Sequence, residues 1–358
     1  MIKIGVVFGS PSDEHEVSLA GAESILNAFK QLDQYEAMPI GIDKNGNWYT
    51  GEHALSTLIS QANQDLLFVD QPIRRLISKT SEQLTPPLAY INSCDYIMLV
   101  IPGRYGEDGR LQGFFETLGK KNIGCGVLSS ALCFDKAMLK AVLSDYGYDV
   151  TPGTDVFLKT TDITSELFEH ICNSLGTHRL VLKPTDNGSS IGLSQAENFE
   201  EFKAGMIEAG KYTDHVVVEK FIPHKEIVVG VIGNGDELLI SELGLSNETA
   251  DRVYGYQEKY IDTSPCIVPA PIDETLTAKI KALTAEIYQL TKCSGWARVD
   301  FLIEDGTNNI YVNEVNTIPG MSKPSVFPTI FAETGLSYPE MLERIFETSI
   351  TEFLRQAA

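Results

Sequence analysis

The stretch from Trp296 to Asn316 constrains the chain most, because it sets four polar residues into two otherwise apolar strands. Trp296-Ala-Arg-Val-Asp-Phe-Leu-Ile303 and Ile310-Tyr-Val-Asn-Glu-Val-Asn316 flank Asp305-Gly306, a dipeptide suited to a tight turn. Successive strand residues point to opposite faces. Arg298 and Asp300 therefore share one face, and Glu314 and Asn316 share one face of the return strand. A hairpin folded about Gly306-Thr307 is expected to set Asp300 opposite Glu314 and Arg298 opposite Asn316. Two carboxylates and an amide oxygen at one spot repel each other unless a cation sits between them, and hard oxygen donors suit Mg²⁺ or Mn²⁺. Magnesium keeps few protein ligands and shares substrate phosphates, so the cluster points to a nucleotide, with Arg298 facing the anion that the metal holds. The bland alternative is a solvated sheet face carrying cross-strand charge pairs. Such a face has no need to group Asp, Glu and Asn with the cation on one side only.

At 358 residues, 43% of them hydrophobic, the chain is long enough for two or three domains, each with its own core. A formal net charge of -21 argues against nucleic acid or an anionic membrane as partner. Positive charge near a nucleotide must then be local. The opening Met1-Ile-Lys-Ile-Gly-Val-Val-Phe8 is too short an apolar run for a signal peptide, and no apolar stretch of about 20 residues spans a bilayer. A cytoplasmic protein is expected. The six cysteines show no paired metal spacing and read as buried thiols in a reducing compartment. The six histidines include no ligand pair on a recognisable helix, so zinc is not expected.

The first segment reads as a strand from Ile2 to Phe8, a helix from Ser18 to Leu32, a strand from Ala37 to Ile42, a short strand at Trp48-Tyr49, a buried strand from Asp95 to Ile101 and a helix from Leu111 to Gly119. Alternating strands and helices predict a parallel sheet whose ligand loops, Gly9 to Val17 and Gly103 to Gly109, meet at the carboxyl ends of its strands. A helix from Phe134 to Tyr146 opens a second unit, with a helix over Ile163 to Leu175 and strands Arg179 to Lys183 and Val216 to Phe221. Strands Glu226 to Ile232 and Glu237 to Leu243, a long polar loop at 244–262, a helix from Asp273 to Thr291, the hairpin and a closing helix from Tyr338 to Arg355 complete the third. The expected domains are 1–125, a Rossmann-like substrate domain, then 126–215 and 216–358, the last carrying the metal site and a lid loop.

Lys183-Pro-Thr-Asp-Asn-Gly-Ser-Ser-Ile-Gly192 follows directly on a strand, so the backbone N–H groups of Gly188, Ser189 and Ser190 can converge on an anion. The lysine precedes the glycines, unlike the P-loop, where it follows them. Alone the loop reads equally as a plain turn, Lys136 as a surface lysine, and Glu219 and Glu226 as solvated strand ends. A lysine, an N–H nest and a metal cluster in one chain weaken those readings.

Together these segments resemble the ATP-grasp ligases and, within them, the D-alanine:D-alanine ligase family in its longer form. The resemblance spans nearly the whole chain. It is carried by Ser12-Asp-Glu-His-Glu-Val-Ser18, Gly106-Glu-Asp-Gly109 with Leu111-Gln-Gly113, Asp135-Lys136, Lys183-Pro184 with Gly188 to Gly192, Lys259-Tyr260, Gly295 to Asp300, and Asn313-Glu-Val-Asn-Thr317 with Pro319-Gly-Met321.

The resemblance implies an α/β ATP-grasp fold, a parallel-sheet domain followed by two α+β domains that clamp ATP. It implies synthesis of D-alanyl-D-alanine for peptidoglycan through a D-alanyl phosphate, releasing ADP and phosphate. By family pattern, Lys136, Lys183 and Lys259 neutralise ATP phosphates with the Ser190 loop. Glu219, Lys220 and Ile222 frame the adenine, and Glu226 takes the ribose. Asp300, Glu314 and Asn316 bind two Mg²⁺ (or Mn²⁺) ions. Glu14 holds the first D-alanine's ammonium, Ser189 and Tyr260 link Glu14 to the closed lid, Arg298 and the Gly320 N–H stabilise the oxyanion, and Ser325 and the Val326 N–H hold the second carboxylate. A homodimer joined through the first domain is also implied. The sequence departs from the family at Pro102, where a histidine usually precedes Gly103. That leaves D-serine or D-lactate as alternative acceptors, and a non-catalytic nucleotide-binding protein as the reading from another class.

Overall fold

The apolar run at the start of the chain forms β1 (Ile2–Gly9), whose interior residues are fully buried. The computed structural model of the chain describes residues 1–65, 86–188, 190–246 and 266–357. After β1 come α1 (His15–Phe29), β2 (Tyr35–Ile42), β3 (Trp48–Thr50), α2 (Ala54–Asp65), α3 (Leu88–Ser93), β4 (Tyr96–Val100), α4 (Arg110–Thr117) and β5 (Lys121–Ile123). They build a five-stranded sheet of order β3-β2-β1-β4-β5, parallel except for β3 at its edge. Because β1 and β4 are neighbours, the loops leaving their carboxyl ends lie side by side. Ser12 Oγ donates to the Pro102 carbonyl at 3.1 Å, joining the two loops as expected.

The middle of the chain forms α5 (Val127–Phe134), α6 (Lys136–Asp145), β6 (Gly153–Phe157), α7 (Ser165–Leu175), β7 (Leu180–Pro184), β8 (Ser194–Ala196), α8 (Phe199–Ala209) and β9 (His215–Lys220). The helix expected from Phe134 to Tyr146 is α6, and a further helix, α5, precedes it. Asp135 between them is extended, and its carboxylate accepts from the N–H groups of Ala137 and Met138, capping α6 and leaving α5 separate. Strands β6-β9-β7-β8 form an antiparallel sheet. Its second strand, β9, pairs with β6 and β7 on either side, in the middle unit to which the sequence assigns the strand Val216 to Phe221.

The last part comprises β10 (His224–Asn234), β11 (Glu237–Ser246), β12 (Cys266–Ile267), α9 (Glu274–Leu290), β13 (Gly295–Glu304), β14 (Ile310–Asn316), α10 (Val326–Glu333) and α11 (Tyr338–Ala357). Its sheet, β12-β11-β10-β13-β14, is antiparallel throughout. The chain then returns to its beginning: Met341, Leu342, Ile345 and Phe346 of α11 share one core with Phe8, Phe29 and Tyr35. The Phe346 ring meets Tyr35 edge-on with centroids 5.0 Å apart. The first sheet and the hairpin sheet are thus tied across nearly the full chain length. All six cysteines are buried thiols, and no described helix is long and apolar enough to cross a membrane.

Candidate active site

The β13–β14 hairpin pairs Arg298 with Asn316 and Asp300 with Glu314. A ladder running unbroken from the Ile303–Ile310 pair would set Asp300 opposite Asn313 instead. A bulge after Asp300 inserts Asn313 as the extra residue and shifts the register by one. Arg298 forks onto Asp300, Nε to Oδ1 at 2.7 Å and Nη2 to Oδ2 at 2.6 Å, the geometry that makes arginine–carboxylate pairs strong. Asp300 is 1% exposed. Burial works against the Arg298 charge, yet the bonded Asp300 carboxylate holds its pKa above the ordinary arginine value.

The bulge puts two adjacent side chains into one cleft. Lys136 Nζ lies 3.8 Å from Glu314 Oε2, and Lys183 Nζ donates to Asn313 Oδ1 at 3.3 Å. Asn313 also donates to Glu226 at 3.3 Å. The cleft is lined by Lys136, Lys183, Ser190, Glu219, Lys220, Ile222, Glu226 and Glu314, so each of these predicted residues reaches one space. The Glu219 carboxylate, 1% exposed, is already held by Lys183 at 2.8 Å and by Lys140. Lys136 Nζ donates to the Asn187 carbonyl at 2.6 Å, tying α6 to the glycine-serine loop.

That loop in turn covers the end of the first sheet. A Cβ at Gly188 would stand 2.8 Å from Glu14 Oε2 and one at Gly103 only 2.4 Å from it. Glycine at both positions is what lets two loops close on the Glu14 carboxylate. Gly103 also sits at φ +75°, a conformation costly for other residues. Beneath it, Glu107 accepts from the Gly103 N–H and the Ile318 N–H, both at 2.8 Å, bridging the first sheet to the segment after β14. Burial pushes the Glu107 carboxyl up to about 7, and the Glu14 carboxylate adds to the rise. Arg104 makes a second bridge, donating to Asp186 Oδ2 at 3.0 Å and to the Tyr212 carbonyl at 2.6 Å.

Gly320 and Ser325 lie close together, a Cβ at Gly320 meeting Ser325 Oγ at 3.0 Å, and Ser325 precedes α10, whose first residue is Val326. Ser189, Lys259 and Tyr260 lie outside the described residues, as does most of the expected lid.

Residues 143–347 match the family model described as D-ala D-ala ligase C-terminus, and residues 3–125 match D-ala D-ala ligase N-terminus. The chain belongs to the D-alanine–D-alanine ligase family. A D-alanine–D-alanine ligase of Natranaerobius thermophilus is 35% identical over 350 residues, covering 95% of this chain and 93% of the relative. D-alanine–D-alanine ligase B of Clostridium tetani is 36% identical over 361 residues, covering 98% and 94%. The D-alanine-D-alanine ligase from Coxiella burnetii superposes with a TM-score of 0.78 at 27% identity, covering 100% of this chain and 97% of that one. VanG, a D-Ala:D-Ser ligase from Enterococcus faecalis, gives 0.78 at 30% identity, covering 97% and 99%. The fold is the ATP-grasp fold of these ligases.

Ligases of this family use ATP and a divalent metal, and the hairpin's donors fit such an ion. Asn316 Nδ2 reaches both Asp300 Oδ2 at 2.9 Å and Glu314 Oε1 at 3.3 Å, so the two carboxylates converge on one point. Turning the amide over offers its oxygen there, an orientation not distinguished by shape. Among the described residues no three His, Cys, Asp or Glu side chains gather to hold a metal. Two carboxylates and an amide agree with the few protein ligands that magnesium takes.

Four residues for which the sequence reading named no role bond to the residues and loops of this candidate site: Lys140, Asn313, Glu107 and Arg104. For Lys140 a signal existed, since it stands four residues after Lys136 and so on the same helix face.

Proposed function

We propose that the chain is an ATP-dependent ligase that joins two D-alanines into D-alanyl-D-alanine for peptidoglycan synthesis. One observation carries this reading: the Lys136–Glu314 contact joins a lysine-lined cleft to the acidic hairpin, so phosphate-binding and metal-binding groups share one space. Bound at Asp300, Glu314 and Asn316, Mg²⁺ would neutralise charge on the transferring phosphoryl group.

The chain's own groups do the rest. Lys136 and Lys183, with Lys259, hold the phosphates of ATP over the Ser190 loop, while Glu219, Lys220 and Ile222 frame the adenine and Glu226 the ribose. Phosphoryl transfer to a carboxylate asks for position and charge neutralisation more than covalent help. Glu14, enclosed between Gly103 and Gly188, holds the first D-alanine's ammonium, and Ser189 with Tyr260 links it to the lid. Attack of the second amine on the acyl phosphate develops an oxyanion, which Arg298 and the Gly320 N–H receive. Removing one such donor typically costs about 3 kcal/mol. Ser325 and the Val326 N–H take the second carboxylate. We read the working form as a cytoplasmic homodimer joined through the first domain.

A second reading concerns the acceptor. Pro102, whose carbonyl accepts from Ser12, has no imidazole to offer where the family usually carries a histidine, and VanG, similar over nearly its whole length, is a D-Ala:D-Ser ligase. The deciding assay measures phosphate release from ATP with D-alanine, L-alanine, D-serine and D-lactate, singly and in pairs, with products identified by mass. D-alanyl-D-alanine as the main product is expected. A mixed product as the main species shifts the assignment to another acceptor, and no release with any pair overturns the ligase reading.

A further inference from the structure

We infer that Lys140 is a positioning residue for ATP: it takes up the Glu219 carboxylate so that the Lys183 ammonium remains available to the nucleotide. This inference rests on the ligase reading and extends it to a residue outside the phosphate-binding set.

The observations are a buried charge triad. Glu219 in β9 gives one carboxylate oxygen to Lys140 of α6 and the other to Lys183 of β7 at 2.8 Å. All three side chains are at least 87% hidden, with exposures of 10%, 1% and 13% for Lys140, Glu219 and Lys183. Lys140 lines no part of the cleft, whereas Lys183, Glu219 and Lys136 do. Two ammoniums on one carboxylate leave a single positive charge, and Lys183 is the member placed to present it to a phosphate. Burial and the Lys183 and Lys136 ammoniums pull the Lys140 pKa down, opposing retention of its proton. A cation kept there against that cost, bonded to a carboxylate that already has a partner, signals a use for the surplus charge.

Without Lys140, both Glu219 oxygens turn to Lys183. The triad becomes neutral, and the ammonium is drawn toward β9 and away from the phosphates.

The experiment measures binding of ADP with Mg²⁺ by calorimetry, and KM for D-alanine, in wild type, Lys140→Met and Lys140→Arg. Lys140→Met is expected to weaken ADP about tenfold, a change equal to one decade of Kd, with the D-alanine KM little altered. Lys140→Arg is expected to bind ADP several times more tightly than Lys140→Met. A merely structural lysine would lower the melting temperature and leave the ADP affinity of the folded protein where it was; that result overturns the inference. So does a Lys140→Arg variant that binds ADP no better than Lys140→Met. If the Met variant does not fold, Lys140→Gln against Lys140→Arg supplies the same contrast. Failure of the wild type to bind ADP overturns the nucleotide reading itself, and this inference with it.

Discussion

Asp300 in the hairpin and Glu107 in the loop after β4 are both almost fully withdrawn from water, and they are held in opposite ways. Asp300 is gripped by a cation, the Arg298 fork on its own strand. Glu107 is gripped by two neutral N–H groups from different parts of the chain and faces a second carboxylate, Glu14. The first arrangement keeps charge inside the protein where a metal and an anion can meet it. In the second, burial and then the Glu14 carboxylate push the carboxyl up to about 7 against the pull of the two N–H groups, and it fastens the first sheet to the segment following β14. Burial alone therefore says little about a carboxylate's task; the partner decides.

The largest expected effect separates the ligand role from the clamp role within the hairpin. Glu314→Gln should cut turnover by about a thousandfold, as several kcal/mol of charge stabilisation are lost, while stability stays within about 1 kcal/mol of wild type. Asp300→Asn should lose activity too, and in addition about 3–5 kcal/mol of stability, because Arg298 is left buried without its anion. Denaturant unfolding with turnover at saturating Mg²⁺ checks both. Equal unfolding midpoints for the two variants would mean that the fork contributes little.

Next comes the fastener. Between the ordinary carboxyl value of 4.5 and about 7, the native chain binds more protons than the unfolded one, so the Glu107 contribution to stability is complete at low pH and falls as pH rises. Across that window the loss is about 3 kcal/mol. In Glu107→Gln this part of the slope should vanish, which thermal unfolding of both proteins from pH 5 to 8 would reveal. A slope that survives the substitution assigns the pH dependence elsewhere.

The smallest effect tests whether Glu14 is placed by the loops around it. In Gly188→Ala the new Cβ displaces a carboxylate oxygen now 2.8 Å away, the end of a side chain that can move aside. D-alanine KM should rise roughly tenfold, less than the hundredfold that a full 1 Å misplacement can bring, with unfolding nearly unchanged. Steady-state kinetics at fixed ATP give the answer, and an unaltered KM would remove Gly188 from substrate positioning.

Much of the site was legible because it depends on one-dimensional rules. The period of two along β13 and β14 grouped Arg298, Asp300, Glu314 and Asn316, and β1 beside β4 brought the loops at Ser12 and Pro102 together. What escaped depends on distant partners. β9 pairs with β6 and β7, as its place in the second unit leads one to expect; what His215–Lys220 does not record is which way Glu219 faces. The same pairing turns Glu219 inward onto two lysines. Glu107 reads as one more acidic loop residue until Ile318, 211 positions later, donates to it. The α5–α6 break could have been read from Asp135, a good capping residue ahead of Lys136.

The bulge at Asn313 has a consequence for parity. A regular strand offers its face every second residue, so any hairpin built by the ladder alone assigns odd and even positions to opposite sides. One surplus residue changes the parity of everything between it and the next irregularity. That is how Asn313 and Glu314, neighbours in sequence, both answer to lysines in one cleft. Changes of length in this family are therefore not equivalent. The exposed turn at 305–309 can lengthen by extending the ribbon outward, whereas deleting Asn313 would straighten the ladder, leaving Glu314 opposite Asp300 but removing the side chain that meets Lys183 and Glu226.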